Sequence, residues 1–251
     1  MITVALIAIN VIVYLLSIRH GGSFFGGPTT ATSVHYGAIP YELTHPGEHC
    51  DLVQIPTSEG ASQGVACQGQ PGVRGTPGPQ PATWETVFTS MFLHGGFLHI
   101  FGNMLFLWIF GPNVEEAMGR IRFPVFYMLG GLVALGAQVA VGPNSTAPTL
   151  GASGAIAAVL GGYILLYPRA RVLTLIFIIF FFTIVELPAL ALLGFWFLTQ
   201  VLYGAAGLSD PVGNAGGVAY FAHVGGFIFG LALIGVFATR RKQVPPRLPV
   251  Y

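Results

Sequence analysis

The chain has 251 residues, 53% hydrophobic and 8% charged, with a formal net charge of +1 and a mean hydropathy of +0.72. Average soluble domains carry about 25% charged residues, so this composition excludes a soluble core and indicates one polytopic membrane domain. A charge so near zero, with no basic patch interleaved with aromatics, gives no argument for nucleic acid, and the partner that the composition implies is the lipid bilayer.

The apolar runs follow one another along the chain. Residues 2–18 form a short first span interrupted only by Asn10. They lack the basic n-region and small-x-small site of a cleavable signal, so a retained span is expected. Further spans are predicted over Phe92–Phe110, Phe123–Val141, Ser153–Tyr167, Ala189–Ala206 and Ala219–Thr239. The run Val172–Val185 is apolar but ends at Glu186-Leu187-Pro188, and its 14 residues suit an interfacial or re-entrant segment better than a span.

Six spans with both termini inside place Arg120, Arg122, Arg169, Arg171, Arg240, Arg241, Lys242 and Arg247 on the inner side, leaving Arg19 and Arg74 outside. That asymmetry is what the positive-inside rule favours; a seventh span would move the Arg240–Lys242 cluster outside. The expected organisation is a first helix over 1–18, an outer loop over 19–83, a core of the remaining five spans over 84–240 and a short cytoplasmic tail over 241–251. The expected location is the plasma (inner) membrane of a prokaryote.

The 19–83 loop is rich in Gly, Pro, Thr and Ser and contains four Gly-x-y triplets from Gly69 to Gln80. A collagen helix needs many more, so a flexible linker is expected. Cys50 and Cys67 lie within it, and an oxidising compartment would allow them to pair. With His45 and His49 they fit no standard zinc spacing, and neither a metal nor a cofactor is expected.

Polar groups inside apolar spans cost free energy unless they have partners or work, and so are functional candidates. Ser153 opens a span within Gly151-Ala152-Ser153-Gly154, and His223 lies about one turn into the last span. At about 1.5 Å per residue Ser153 stands roughly 22 Å above the inner end of its span. In a core about 30 Å thick that is some 8–10 Å below the outer surface. His99 and Asn103, spaced i, i+4 on one helix face, are predicted two to three turns into the second span from the outside. The topology therefore brings four separated polar residues to a similar depth.

Serine and histidine together form an activated acyl-transfer nucleophile. Ser153 Oγ would attack a carbonyl and His223 would take its proton and return it to the leaving amine. His99, Asn103 and the Ser153 backbone N–H at a helix N-terminus would donate to the oxyanion. Glu115, Glu116 and Glu186 fall on the inner side and Asp210 lies in the last outer loop, so a Ser–His dyad without an acid is the economical reading. Ala157-x-x-x-Gly161 and Gly226-x-x-x-Gly230 are small pairs that let two helices approach closely.

These motifs resemble those of the rhomboid intramembrane serine proteases. Gly151-x-Ser153-Gly154 resembles the family's nucleophile motif and Ala222-His223-x-Gly225-Gly226 its histidine motif. The stretch from His94 through His99 to Asn103 resembles its second-span motif, and Glu115 to Gly119 its Glu-x-x-x-Gly turn. The likeness runs from about Trp84 to Gly230, and residues 5–10 resemble a rhomboid first span. The resemblance implies an all-α six-transmembrane-helix bundle with a cavity open to the outside, which cleaves single-span transmembrane substrates near the outer face. It carries over Ser153 as nucleophile, His223 as base, and His99 and Asn103 as oxyanion donors, with Gly151, Gly154 and His94 as support. Two positions depart from the pattern: Ala157, where many members have an aromatic that stacks on the histidine, and Glu85, where an arginine often follows the first-loop tryptophan.

The alternative on the same scaffold is a non-catalytic protein that binds or traffics transmembrane clients. Such members typically lose the nucleophile or the histidine, and this chain keeps both. A transporter would call for broken helices or a charged pathway, and charges are absent from the predicted spans. The glycine-rich Gly207–Val218 loop and the bulky Phe195-Trp196-Phe197 run are the expected lid and side gate for substrate entering between the second and fifth spans.

Overall fold

The structure, a computed structural model, describes residues 1–57, 60–71, 73, 78–178, 181–209 and 218–239. The elements are α1 (Ile2–Ser17), α2 (Thr30–Tyr36), α3 (Pro40–Thr44), β1 (Cys50–Thr57), β2 (Gly60–Cys67) and α4 (Thr83–Thr89). They continue with α5 (Phe97–Met118), α6 (Arg122–Val141), α7 (Ser153–Leu166), β3 (Arg171–Ile178), β4 (Phe181–Pro188), α8 (Ala189–Ser209) and α9 (Tyr220–Phe237). Among the described residues α5, α6, α8 over Ala189–Leu208 and α9 are long and apolar enough to cross a membrane, while α1 and α7 are shorter apolar helices. The expected six spans thus correspond to four helices of spanning length and two short ones.

α7 is the centre of the bundle. Every residue from Gly154 to Ile164 is buried, as expected of a helix that is apolar all round. Its 14 residues extend only about 21 Å, less than the thickness of a hydrocarbon core. α9 packs against it through the small residues singled out in the sequence. A side chain on Gly161 would press into Phe227 O, one on Gly226 into Gly154 O, and one on Gly230 into Ala158 O. Only hydrogen fits where two backbones meet so closely.

Glu115 joins the start of α1 to the last turn of α5. Its carboxylate accepts from the backbone N–H groups of Ile2 at 2.7 Å and Thr3 at 2.8 Å, and from Thr3 Oγ1 at 2.6 Å. These N–H groups open α1 and have no intrahelical acceptor, and a carboxylate also suits the positive end of a helix dipole. Four residues on, Gly119 ends α5 at φ 84°, a left-handed conformation that favours glycine.

The expectation of an all-α chain needs correction. Among the described residues there are two antiparallel hairpins, β1–β2 and β3–β4. β3–β4 takes up the Val172–Val185 run, rich in the β-branched and aromatic side chains that suit strands. Too short for a span, the run satisfies its backbone groups by pairing from Arg171 opposite Pro188 to Ile178 opposite Phe181. Ala189 N–H donating to Ala170 O at 2.7 Å closes its base.

The segment expected as a flexible linker over 19–83 contains, among its described residues, α2, α3, β1 and β2, while its residues 58–59, 72 and 74–77 lie outside them. Its β1–β2 hairpin sets Cys50 directly opposite Cys67, and the two form a disulfide. Val34, Ile39 and Tyr41 pack with that disulfide in a small core separate from the bundle. Both thiols are consumed by the bridge, and His45 stacks flat on Tyr41 with ring centroids 4.0 Å apart. Glu85, the departure noted above, accepts from Ala82 N–H at 3.3 Å at the start of α4.

α5 also begins later than predicted. Ser90–Phe92 form a single 3₁₀ turn, the chain runs irregularly through Gly95-Gly96, and the helix starts only at Phe97. His99 therefore sits in the first turn of α5 rather than two to three turns inside a span.

Candidate active site

Ser153 is the first residue of α7. The chain enters that helix through Gly151 at φ 117°, whose N–H donates to Ser90 O at 2.8 Å. The first i→i−4 bond of α7 runs from Ile156 N–H to Ala152 O. The N–H groups of Ser153, Gly154 and Ala155 thus lie in the helix's opening turn, where no intrahelical acceptor exists. A cavity of about 20 Å³ adjoins this turn, lined in part by Ser90, Gly151, Ser153 and Ala222. It has room for about one water-sized group.

His223 lies in the first turn of α9. The close α7–α9 packing brings its Nε2 to 2.8 Å from Ser153 Oγ, a hydrogen bond between residues 70 positions apart. Its Nδ1 is 2.8 Å from Gln200 Oε1 on α8. Trp196, one turn before Gln200, places its ring 5.7 Å from the imidazole, tilted by 38°. Contact from α8 thus stands where Ala157 supplies no aromatic. Sequence reasoning passed over Gln200, although the signal was there: it is an amide inside an otherwise apolar helix.

His99 and Asn103 project from α5 towards the turn before Ser153. A side chain on Gly151 would meet His99 Nε2 at 2.7 Å and Asn103 Nδ2 at 3.6 Å. Gly95 N–H donates to His99 Nδ1 at 3.3 Å, so in the neutral ring the proton sits on Nε2, facing the site. Asn103 Nδ2 is buried and has no hydrogen-bond partner among the described residues. A buried unpaired donor costs about 1–3 kcal/mol. One beside a candidate nucleophile is placed to receive developing negative charge.

His94 is fully buried. Its Nδ1 lies 3.2 Å from Phe92 O, and its ring packs edge-on to His99 with centroids 5.1 Å apart. It supports His99 without reaching Ser153 itself. Gly154 lets α6 and α9 close on the serine, since a side chain there would press on Ala134 Cβ and lie 3.8 Å from Ala222 O. Of the expected lid, residues 210–217 fall outside the described residues, as does the tail over 241–251. In the expected side gate, Phe195 is exposed, whereas Trp196 and Phe197 face inward onto Phe227.

Comparison with known proteins bears on the whole arrangement. Residues 81–240 match the family model described as "Rhomboid domain". "Rhomboid protein 1, mitochondrial" of Saccharomyces cerevisiae is 33% identical over 171 residues, 65% of this chain and 45% of that protein. "RHOMBOID-like protein 6, mitochondrial" of Arabidopsis thaliana is 32% identical over 155 residues, 60% of this chain and 42% of that one. A Bacillus subtilis relative whose name includes "rhomboid protease" is 32% identical over 85 residues, 32% of this chain and 40% of its own. The matched regions cover less than half the length of each of these relatives. Two of the names are mitochondrial, so the expected prokaryotic plasma membrane is not supported, and what stands is a membrane protein. With well over half its residues matched to the family model, the chain belongs to the rhomboid family.

Proposed function

We propose that this chain is an intramembrane serine endopeptidase that hydrolyses single-span transmembrane proteins near the outer membrane face. The observation that carries this reading is the 2.8 Å contact between His223 Nε2 and Ser153 Oγ at the N-terminus of a buried helix. Ser153 Oγ attacks the scissile carbonyl while its proton passes to His223 Nε2. Negative charge on the carbonyl oxygen is met by the Ser153 N–H, His99 Nε2–H and Asn103 Nδ2–H. The imidazolium then protonates the leaving amine, and a water activated by the same imidazole releases the acyl group from Ser153.

On this reading α1 and α7 join the four longer helices as spans, with both termini on the inner side and the 19–83 segment on the outer side. The short α7 then holds Ser153 below the outer surface. Ser153→Ala and His223→Ala should each abolish cleavage of a tagged single-span substrate and labelling by a fluorophosphonate, with helix content retained. The double variant should lose little more than either single one, because the two act as a unit. Near-normal cleavage by either single variant overturns the assignment. A protein that binds clients without cutting them would fail to label even unmutated.

A further inference from the structure

We infer that Gln200 is a positioning residue that sets the tautomer and orientation of His223, taking from α8 the place that a carboxylate holds in a triad. The inference rests on the protease reading above and adds a third member to it. Gln200 is buried, and its amide orientation is set by its own surroundings. Its Nε2 lies 3.3 Å from Trp196 O and 3.1 Å from Thr199 Oγ1. A carbonyl oxygen can only accept, so the nitrogen end faces Trp196 and Oε1 is left for His223, 2.8 Å from Nδ1. An amide oxygen can only accept as well, so Nδ1 carries the proton and the lone pair of the neutral ring lies on Nε2. That is the nitrogen facing Ser153 Oγ.

The opposite tautomer would present N–H to the serine hydroxyl and could not take its proton. Without a fixed acceptor at Nδ1 both tautomers and other ring rotations become accessible, and the competent fraction falls. Trp196, one turn away on α8, limits the ring's tilt from its side. Support for the histidine does not come from α7, where Ala157 stands in the buried helix. Both supporting groups lie instead on α8, so the competent base exists only while α8 is seated against α9.

Two variants test this in proteoliposomes with a tagged single-span substrate. Gln200→Leu removes the acceptor at similar bulk and should lower kcat about 10- to 100-fold at unchanged KM, the rate equivalent of stranding one buried donor. Gln200→Glu keeps an acceptor and adds negative charge. It should retain turnover while moving the acid limb of the kcat/KM profile to higher pH, because a carboxylate favours the imidazolium. Among the described residues, the titratable group that acts on His223 from another helix is His99 on α5, unchanged in both variants. Unaltered kcat in Gln200→Leu, or a Gln200→Glu profile superimposable on the parent's, overturns the inference. If Gln200→Leu does not fold, the Gln200→Glu profile decides alone. Ser153→Ala is assayed alongside: cleavage by that variant sinks the protease reading itself. An inert Ser153→Ala beside unperturbed Gln200 variants sinks only the role given to Gln200.

Discussion

The distance between Ser153 and His223 is set by how closely α7 and α9 approach, and Gly226→Ala tests that dependence. A Cβ at residue 226 would press into Gly154 O, next to the candidate nucleophile, and stand 3.3 Å from Ala157 Cβ. Ordinary van der Waals contact begins at 3.4 Å, so relief of the Gly154 clash requires the helices to part by about 1 Å. Both obstacles are backbone or Cβ atoms, with no flexible side-chain end to swing aside. The 2.8 Å contact between His223 Nε2 and Ser153 Oγ would then pass beyond the ~3.2 Å reach of a good hydrogen bond. A misplacement of this size costs on the order of 10² in rate, alongside about 1–3 kcal/mol of overpacking. Cleavage of a tagged single-span substrate in proteoliposomes and the rate of fluorophosphonate labelling give kcat and serine reactivity, and a thermal melt reads the packing cost. Gly235→Ala, on the same helix with nothing within 4 Å of its added carbon, is the control and should leave both unchanged. A Gly226→Ala variant within roughly twofold of the parent in kcat would refute the claim that backbone contact sets the distance between Ser153 and His223.

Asn103→Ala should lower kcat by on the order of 10²–10³ with KM unchanged; weaker substrate binding at normal turnover would instead make Asn103 a docking residue. Replacing Cys50 and Cys67 with serine should destabilise the disulfide-bonded module by about 3 kcal/mol, seen as faster proteolysis of that module while the helical bundle stays protected. Equal loss in both regions would show that the module and bundle unfold together. Glu42 accepts from Cys50 N–H at 2.6 Å, yet burial holds its carboxyl above the ordinary 4.5, outweighing that bond and the nearby His49. A folded value above the unfolded one means that its stabilising contribution is complete below 4.5 and is lost as pH rises through the folded value. Hydrogen exchange in β1 and β2, corrected for intrinsic rates, should therefore report falling protection over that window. Glu42→Gln should flatten the trend, and an unchanged slope in that variant would assign it to another group.

Composition was enough to define the class, and local motif to name most residues of the candidate site. A chain this apolar must place its spans in lipid, and the few polar groups within them stand out because burial without a partner is costly. Ser153, His223, His99 and Asn103 were legible for that reason, as were the small pairs that close α7 on α9. The run from Val172 to Val185 was not, since a short apolar stretch carries no period that separates a buried helix from a strand. Nor were the elements described between Thr30 and Cys67, where Gly and Pro are frequent while a disulfide and a few buried residues hold them together. The later start of α5 depended on Gly95-Gly96 breaking a helix that the apolar pattern would have carried through. Above all, which groups face His223 was decided only by tertiary structure. Gln200 and Trp196 lie over twenty positions from it in the chain, and the rotation of α8 against α9 alone turns them towards the imidazole. Hydropathy places a residue at a depth in the membrane; the side-chain packing of neighbouring helices decides its azimuth.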